Sequence, residues 1–175
     1  MIPRNHLAAA VASLALTACA TVAPQPTELA HADLVTADGK PAGRAYLTAN
    51  GDLATLIVQA VGLKPGQHGI HLHTVGKCDA PAFTTAGGHL NPGMRMHGTM
   101  NPAGAHMGDL PNLSIAADGA GAATVLLPGK WIDAEPAIFD ADGTAIVIHA
   151  GPDDYKTDPS GNSGSRIACG VFARG

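Results

Sequence analysis

Two histidines separated by one residue, His71 and His73, are the first feature of this sequence that could do chemistry. Side chains alternate between the two faces of a β-strand, so both imidazoles would point to one side while Ile70 and Leu72 point to the other. A strand of this kind could present two nitrogen ligands to one metal ion. The chain has nine histidines in 175 residues, which raises the expectation of metal binding, although such a pair alone is weak evidence.

Further candidate ligands follow in a long glycine-rich segment, 74–107, and just beyond it, and one more ends an apolar run. They are His89, His97, His106, Asp109 and His149. Six histidines and one aspartate exceed what a single four-coordinate ion can use, whereas two adjacent ions that share one ligand would use them all. An imidazole that has lost both ring protons can bind one ion through each nitrogen. Histidine with carboxylate suits zinc, and several histidines without thiolate suit copper(II).

The N-terminus has the pattern of an export signal. Residues 1–18 combine a weakly basic start with an apolar run, Leu7 to Ala18, that is too short to span a bilayer. Leu16-Thr17-Ala18-Cys19 resembles a bacterial lipobox, which predicts lipidation of Cys19 and a periplasmic protein anchored to a membrane through that lipid. Ordinary cleavage at an Ala18-Cys19-Ala20 site is the alternative. No other membrane association is expected.

The cysteine count agrees with an exported protein, and the net charge limits which partners the protein could bind. Cys19 belongs to processing, which leaves Cys78 and Cys169 of the three cysteines and predicts one disulfide; two free buried thiols are the alternative. The formal charge is −4. Without Arg4, the mature chain has 9 basic and 14 acidic residues, or −5. This balance excludes a general basic surface and gives no case for nucleic acid binding.

Short alternating stretches separated by turn dipeptides predict how these residues are positioned. Asp38-Gly39, Asn50-Gly51 and Asp118-Gly119 favour the turns that two-residue hairpins need. No helical period is apparent. After a tether at 19–26, residues 27–175 are therefore predicted to form one all-β domain, an eight-stranded antiparallel Greek-key barrel or sandwich with two long functional loops. The predicted strands are 28–36, 42–48, 52–61, 69–73, 112–116, 121–127, 145–149 and 167–173, and the loops are 74–107 and 151–165.

Five motifs, taken together, resemble the copper/zinc superoxide dismutase family in its exported bacterial form. They occur in that family's order and at compatible spacings, and the resemblance covers about residues 30–173. The motifs are Gly69-Ile70-His71-Leu72-His73, Gly88-His89-Leu90-Asn91-Pro92, Met96-His97-Gly98, His106-Met107-Gly108-Asp109-Leu110 and the segment from Gly161 to Gly170.

The resemblance implies an enzyme that converts superoxide to O2 and hydrogen peroxide by cycling Cu(II)/Cu(I) beside a structural zinc, with one copper and one zinc per subunit. Its implied copper ligands are His71, His73, His89 and His149. Its implied zinc ligands are His89, His97, His106 and Asp109. It also implies catalytic roles for Arg166 and His89, a linking carboxylate at Asp153 and a disulfide between Cys78 and Cys169.

Some features remain open at this stage. The second loop is shorter than in the common animal enzymes, and Ser160 stands where the family often has threonine. Lys77 and Lys156 could help guide the anionic substrate or could be plain solvated lysines. A non-enzymatic copper- or zinc-binding module on the same scaffold is the alternative function, whereas a zinc hydrolase would need an open zinc position. His31 and His68 match no ligand, and a homodimer is possible.

Overall fold

A curled antiparallel sheet forms most of the protein. The computed structural model describes residues 26–175, so the predicted signal peptide 1–18, Cys19 and most of the tether lie outside the described residues. Among the helices of the described part, none is long and apolar enough to cross a membrane. The strands, numbered in chain order, are β1 Thr27–Thr36, β2 Pro41–Asn50, β3 Leu53–Ala60, β4 Gly66–His68, β5 Ile70–His73, β6 Leu113–Ile115, β7 Gly121–Leu126, β8 Ala145–His149, β9 Arg166–Val171 and β10 Ala173–Arg174.

The sheet order differs from the chain order at the point that matters for the site. Neighbours across the main sheet run β5-β8-β9-β1-β2-β3-β7, with β10 beside β1, and β4 pairs with β6 separately. All pairings are antiparallel. The hairpins β1–β2 and β2–β3 turn at Gly39 and Gly51, whose φ values of 78° and 60° fit the predicted turns. The predicted all-β architecture is confirmed.

One short helix, α1 Trp131–Ile138, was not predicted and corrects the expectation of an entirely non-helical domain. It has eight residues and contains Pro136, so its sequence shows no sustained period and its isolated stability would be marginal. Tertiary packing forms it instead: Ala134 and Ile138 are buried, and the Trp131 ring meets Phe139 edge-on at 6.0 Å between centroids. Both rings are partly buried against the main core.

The core sits inside the curled sheet, and a smaller buried group lies outside it. Leu47, Leu56 and Ile146 are fully buried in the main core. The smaller group packs around Phe83 and Cys169. It is closed by the predicted disulfide Cys78–Cys169, with Cα atoms 5.7 Å apart. The disulfide fastens the first loop, residues 74–112, to β9. The second loop, residues 150–165, joins β8 to β9.

Candidate metal centre

Two paired strands and the first loop bring the candidate ligands together. β5 pairs with β8 so that Ile70 lies opposite Ile148, and the backbone N–H of His149 donates to Gly69 O at 2.8 Å. The first loop then folds back along β5, because isolated β-bridges join His71 to Asp109 and His73 to His89. Residues far apart in the chain are thereby placed on one buried surface.

Four of the predicted ligands form the four-histidine group, and all four are buried. One ring nitrogen of each lies within 4.8 Å of the others. Those facing nitrogens have no hydrogen-bond partner, although each is shielded from solvent. They are His71 Nδ1, His73 Nε2, His89 Nε2 and His149 Nε2.

The opposite ring nitrogens determine which tautomer these histidines adopt. His73 Nδ1 lies 2.9 Å from Gly87 O, and His149 Nδ1 lies 3.0 Å from Gly164 O. A carbonyl oxygen only accepts hydrogen bonds, so each Nδ1 must carry the proton. The Nε2 of the same ring then keeps its lone pair and faces its neighbours, which is the chemistry of a metal ligand.

The remaining predicted ligands form the zinc-type group, which shares His89 with the first group. Asp109 Oδ1 lies 2.9 Å from His89 Nδ1, 3.0 Å from His97 Nδ1 and 3.1 Å from His106 Nδ1. His89 Nδ1 and His106 Nδ1 are 3.4 Å apart. A tetrahedral zinc site with ligands about 2.0 Å from the ion has edges of about 3.3 Å, so these separations suit one ion.

Asp153 contacts one histidine of each group. Its side chain is buried, with Oδ2 2.7 Å from His71 Nε2 and Oδ1 3.0 Å from His97 Nε2. Asn112, which the sequence analysis missed, holds Asp153 in place. Asn112 Oδ1 accepts from the backbone N–H of Asp153 at 2.8 Å, and its Nδ2 donates to Asp153 O at 2.9 Å. No motif in a single sequence marks an asparagine with this role.

A glycine is required beside this carboxylate. Gly161 has φ of 62°, and a Cβ added to it would lie 1.8 Å from Asp153 Oδ1 and 2.7 Å from His97 Nε2. Gly161 therefore allows the second loop to pass directly over the hydrogen bond between those two side chains. His68 is also buried, with Nδ1 2.7 Å from His149 O and Nε2 2.9 Å from Lys64 O, and it belongs to neither group, as predicted.

Burial keeps the rings of the four-histidine group neutral. It lowers the pKa of His71 to about 3, that of His73 to about 2 and that of His149 to about 4. It also lowers the pKa of His89. For Asp109, burial acts to raise the pKa, but the hydrogen bond from His89 and the backbone N–H groups outweigh it and the pKa falls. The set is thus neutral imidazoles with an ionised carboxylate.

A cavity of about 510 Å³ opens above the shared histidine. Arg166 lines it and is fixed by two hydrogen bonds of 2.6 Å, to Phe83 O and Gly87 O. Burial lowers the pKa of the Arg166 guanidinium, yet arginine stays protonated in proteins. Ser160 also lines the cavity, whereas Lys77 and Lys156 do not.

Arg95 is a second cation at this cavity, and the sequence analysis did not single it out. No carboxylate of the described residues lies within 4.0 Å of its guanidinium. Its backbone N–H and C=O are both bonded by the side chain of Asn91, at 2.9 and 2.8 Å. Asp158 lines the same cavity and accepts from the His97 N–H at 2.6 Å. Only its place between two predicted ligands could have drawn attention to Arg95.

These observations define a class: an antiparallel β protein with two adjoining metal-ligand groups joined through one shared histidine. The family model described as copper/zinc superoxide dismutase matches residues 41–172. A copper-zinc superoxide dismutase of Aquifex aeolicus is 43% identical over 144 residues, covering 81% of this chain and 85% of the relative. One from Caulobacter vibrioides is 44% identical over 139 residues, covering 77% and 80%.

Solved structures agree. A crystal structure of a SOD-like protein from Bacillus subtilis matches with a TM-score of 0.78 and 38% identity, covering 84% of this chain and all of that one. The copper/zinc superoxide dismutase from Brucella abortus matches with a TM-score of 0.64 and 30% identity, covering 82% and 98%. The chain belongs to the copper/zinc superoxide dismutase family.

Proposed function

We propose that this protein is an oxidoreductase that converts superoxide to O2 and hydrogen peroxide, with one copper and one zinc ion per subunit. The observation that carries the proposal is a set of four buried histidine nitrogens without a hydrogen-bond partner, which face one another in the four-histidine group, beside three further ring nitrogens that converge on Asp109 Oδ1. An unpartnered buried polar atom costs free energy, about 1–3 kcal/mol each, and a metal ion would remove that cost. Family membership supplies the identity of the two ions.

The residues that would hold copper are the four-histidine group, and those that would hold zinc are the zinc-type group. Copper, when bound, supplies a one-electron couple that superoxide can reduce and then oxidise. Zinc is redox-inert, and by binding four ligands of the first loop it would hold that loop in place. The zinc-type group has no open position, which disfavours a zinc hydrolase.

His89 would carry the proton for the second half of the reaction. Its Nδ1 faces Asp109 at 2.9 Å, while its Nε2 faces the four-histidine group and the cavity. When Nε2 is not acting as a ligand, it can hold a proton at an atom shielded from bulk water and give it to the departing peroxide. The contact between His89 Nδ1 and Asp109 keeps the ring in place while Nε2 holds the proton.

Arg166 and Arg95 would draw the anionic substrate into the cavity. The chain is net negative, but the local field at the entrance governs the approach of a small anion. The two hydrogen bonds that Arg166 donates to backbone carbonyl oxygens fix its guanidinium at the cavity without neutralising its charge. His73 and His89 line the same cavity. Ser160 offers a hydroxyl on the opposite loop.

Metal analysis combined with a dismutation assay tests the function. We expect one copper and one zinc per chain, and fast loss of superoxide followed by stopped-flow absorbance. His73→Ala should keep zinc, lose copper and lose activity, while His31→Ala, at a partly exposed position outside both groups, should match the wild type. A fully loaded wild-type protein without activity would favour the alternative, a non-enzymatic copper- or zinc-binding module.

We also propose that the protein is exported to the periplasm and anchored to a membrane through a lipid on Cys19. The lipobox-like sequence and the disulfide support this, because disulfides persist in oxidising compartments. Mass spectrometry of the mature N-terminus should show an acylated Cys19, and Cys19→Ala should release the protein from membranes. An unmodified N-terminus at or after Ala20 would contradict the anchor. Sedimentation equilibrium of the purified protein tests whether two chains associate as a homodimer.

A further inference from the structure

Every methionine in the part of the chain that the structure describes lies in one stretch of the first loop. Met94, Met96 and Met100 are 91%, 44% and 67% exposed, while Met107 is partly buried against the main core. Single exposed apolar side chains are ordinary on a protein surface. Three within seven residues, in a loop that holds a candidate metal centre, are a cluster that packing does not explain. We call residues 94–100 the methionine segment.

The backbone of this segment is anchored, although its methionine side chains extend into solvent. The N–H of Met94 donates to Asn91 O at 3.2 Å, closing a turn. The N–H of Met96 donates to Ala103 O at 3.0 Å, and that of Met100 donates to Tyr155 O at 2.9 Å. Each methionine is thus held at a defined place in the loop. The flexible part is the unbranched side chain, which can adapt to a ligand.

The thioether sulfur of methionine is a soft ligand that selects Cu(I) over zinc. The segment holds three such sulfurs. The two cysteines of the described residues are joined in the disulfide, so neither offers a competing thiolate. A soft, monovalent metal ion is the class of ligand that these side chains can bind and that water and carboxylates bind poorly.

The methionine segment also adjoins the entrance to the four-histidine group. Arg95, between Met94 and Met96, lines the cavity above that group. His97, which follows Met96, belongs to the zinc-type group. Asp158, whose Oδ1 accepts from the backbone N–H of His97, adds a carboxylate to the lining of the same cavity. A cation held on the segment would therefore be next to the cavity.

We propose that Met94, Met96 and Met100 form a surface Cu(I) site that captures copper for the buried four-histidine group. Its role in loading rests on the proposed function, but Cu(I) binding itself does not. Copper arrives and is passed on as Cu(I): thioether bonds break, imidazole bonds form, and no electron is transferred. Because thioethers bind zinc poorly, the site also favours copper over zinc at the cavity.

Binding is tested on the copper- and zinc-loaded protein, in which both buried groups are occupied, after reduction with ascorbate and complete removal of the ascorbate by gel filtration. Silver(I) serves as a redox-inert probe of the same charge and softness as Cu(I). With 13C-labelled methionine methyl groups, one equivalent of silver(I) should shift the NMR signals of Met94, Met96 and Met100 and leave Met107 unchanged. Absence of these shifts, or release of zinc or copper instead, would overturn the site.

A leucine series supplies the matched variants, because leucine keeps the apolar volume and removes the sulfur. The triple variant Met94→Leu, Met96→Leu and Met100→Leu should lose silver(I) binding, and Met107→Leu should keep it. Equal silver(I) binding by the triple variant and the wild type would refute the assignment.

Loading is tested on zinc-bound, copper-free protein given a Cu(I)–glutathione complex. Capture beside the cavity turns delivery into a local transfer, so the triple variant should load about tenfold more slowly than the wild type or the Met107→Leu control. Its activity once loaded should equal that of the wild type. Equal loading rates would refute the capture role. If loaded wild-type protein had no dismutase activity, the proposed function would fail while the silver(I) result still decided the site.

Discussion

Replacing Asp153 by asparagine tests whether one buried carboxylate sets the ring orientation in both ligand groups. Both rings must donate to it, because His71 and His97 direct their Nδ1 atoms into the ligand groups and their Nε2 atoms at Asp153. Asparagine has one acceptor oxygen and one NH2 donor. The oxygen should take the Oδ1 position, where the N–H groups of His97 and Tyr155 converge. The NH2 group would then face the His71 N–H, donor against donor.

The expected loss of metal affinity is larger for copper than for zinc. His71 can relieve the conflict by moving its proton to Nδ1, which makes that nitrogen unable to bind a metal. Loss of an outer partner of this kind typically costs about 10–100-fold in metal affinity. That corresponds to about 1.4–2.7 kcal/mol, within the range for a hydrogen bond to a charged group. Zinc affinity should fall less, because His97 keeps its acceptor.

Chelator competition on the purified Asp153→Asn protein measures both affinities. The matched control is Asp154→Asn, because Asp154 is exposed and its carboxylate binds Thr157 and Asn162 rather than a ligand histidine. Copper affinity within about twofold of the control would refute the tautomer argument. If zinc affinity fell more than copper affinity, the amide oxygen would have to face His71 rather than His97.

Four further outcomes are expected. Arg166→Ala should keep both metals but slow dismutation by about tenfold at low salt, and the salt dependence of the rate should weaken; a rate equal to that of the wild type would count against guidance. Gly161→Ala should lose about 2 kcal/mol of stability in urea, whereas Gly129→Ala, which also has positive φ (79°) but nothing within 4 Å of the added Cβ, should lose less; equal losses would exclude the clash with the carboxylate. Cys169→Ser should cost about 4–5 kcal/mol by the loop-entropy model, since the disulfide spans 91 residues, and an unchanged denaturation midpoint would contradict this. Burial lowers the pKa of His149 from 6.5 to about 4, so the unfolded state binds the proton first as the pH drops and this residue alone should remove about 3 kcal/mol of stability between pH 6.5 and 4. The pKa values of His71 and His73 are lowered as well, so the metal-free protein should lose more than this in urea titrations, and a flat profile would refute it.

Local chemistry made much of the architecture predictable. Asn50-Gly51 imposes a turn with positive φ, and the structure pairs Asn50 with Leu53 across a two-residue hairpin. The alternation of β5 is subtler, because Ile70 and Leu72 face the core while the two histidines between and after them face the first loop, and all four are buried. Period-two alternation predicts which residues share a face, but not that both faces are covered.

What the sequence left open depends on contacts between distant segments. The helix α1 forms around Pro136 because Ala134 and Ile138 find buried places, which no local pattern records. Asn112 acts on Asp153 from 41 residues away, through a hydrogen-bond pair visible only after folding. Arg95 lines a cavity whose lining includes Asp158 and Ser160 of the second loop, more than 60 residues away. In each case the structure or role depends on a packing or hydrogen-bond partner that becomes known only once the chain has folded.

The same reasoning explains why the histidines could be recognised but their ring nitrogens could not be assigned. His71 presents Nδ1 to its group, whereas His73 and His149 present Nε2, because their other nitrogens meet a carboxylate and two backbone carbonyls respectively. These partners come from both loops, so the loops commit each ring to one tautomer before any ion binds. That arrangement leaves buried lone pairs facing one another, which weakens the metal-free fold. Folding and metal binding are therefore coupled: the free energy spent on ordering the rings is recovered only when ions occupy both groups.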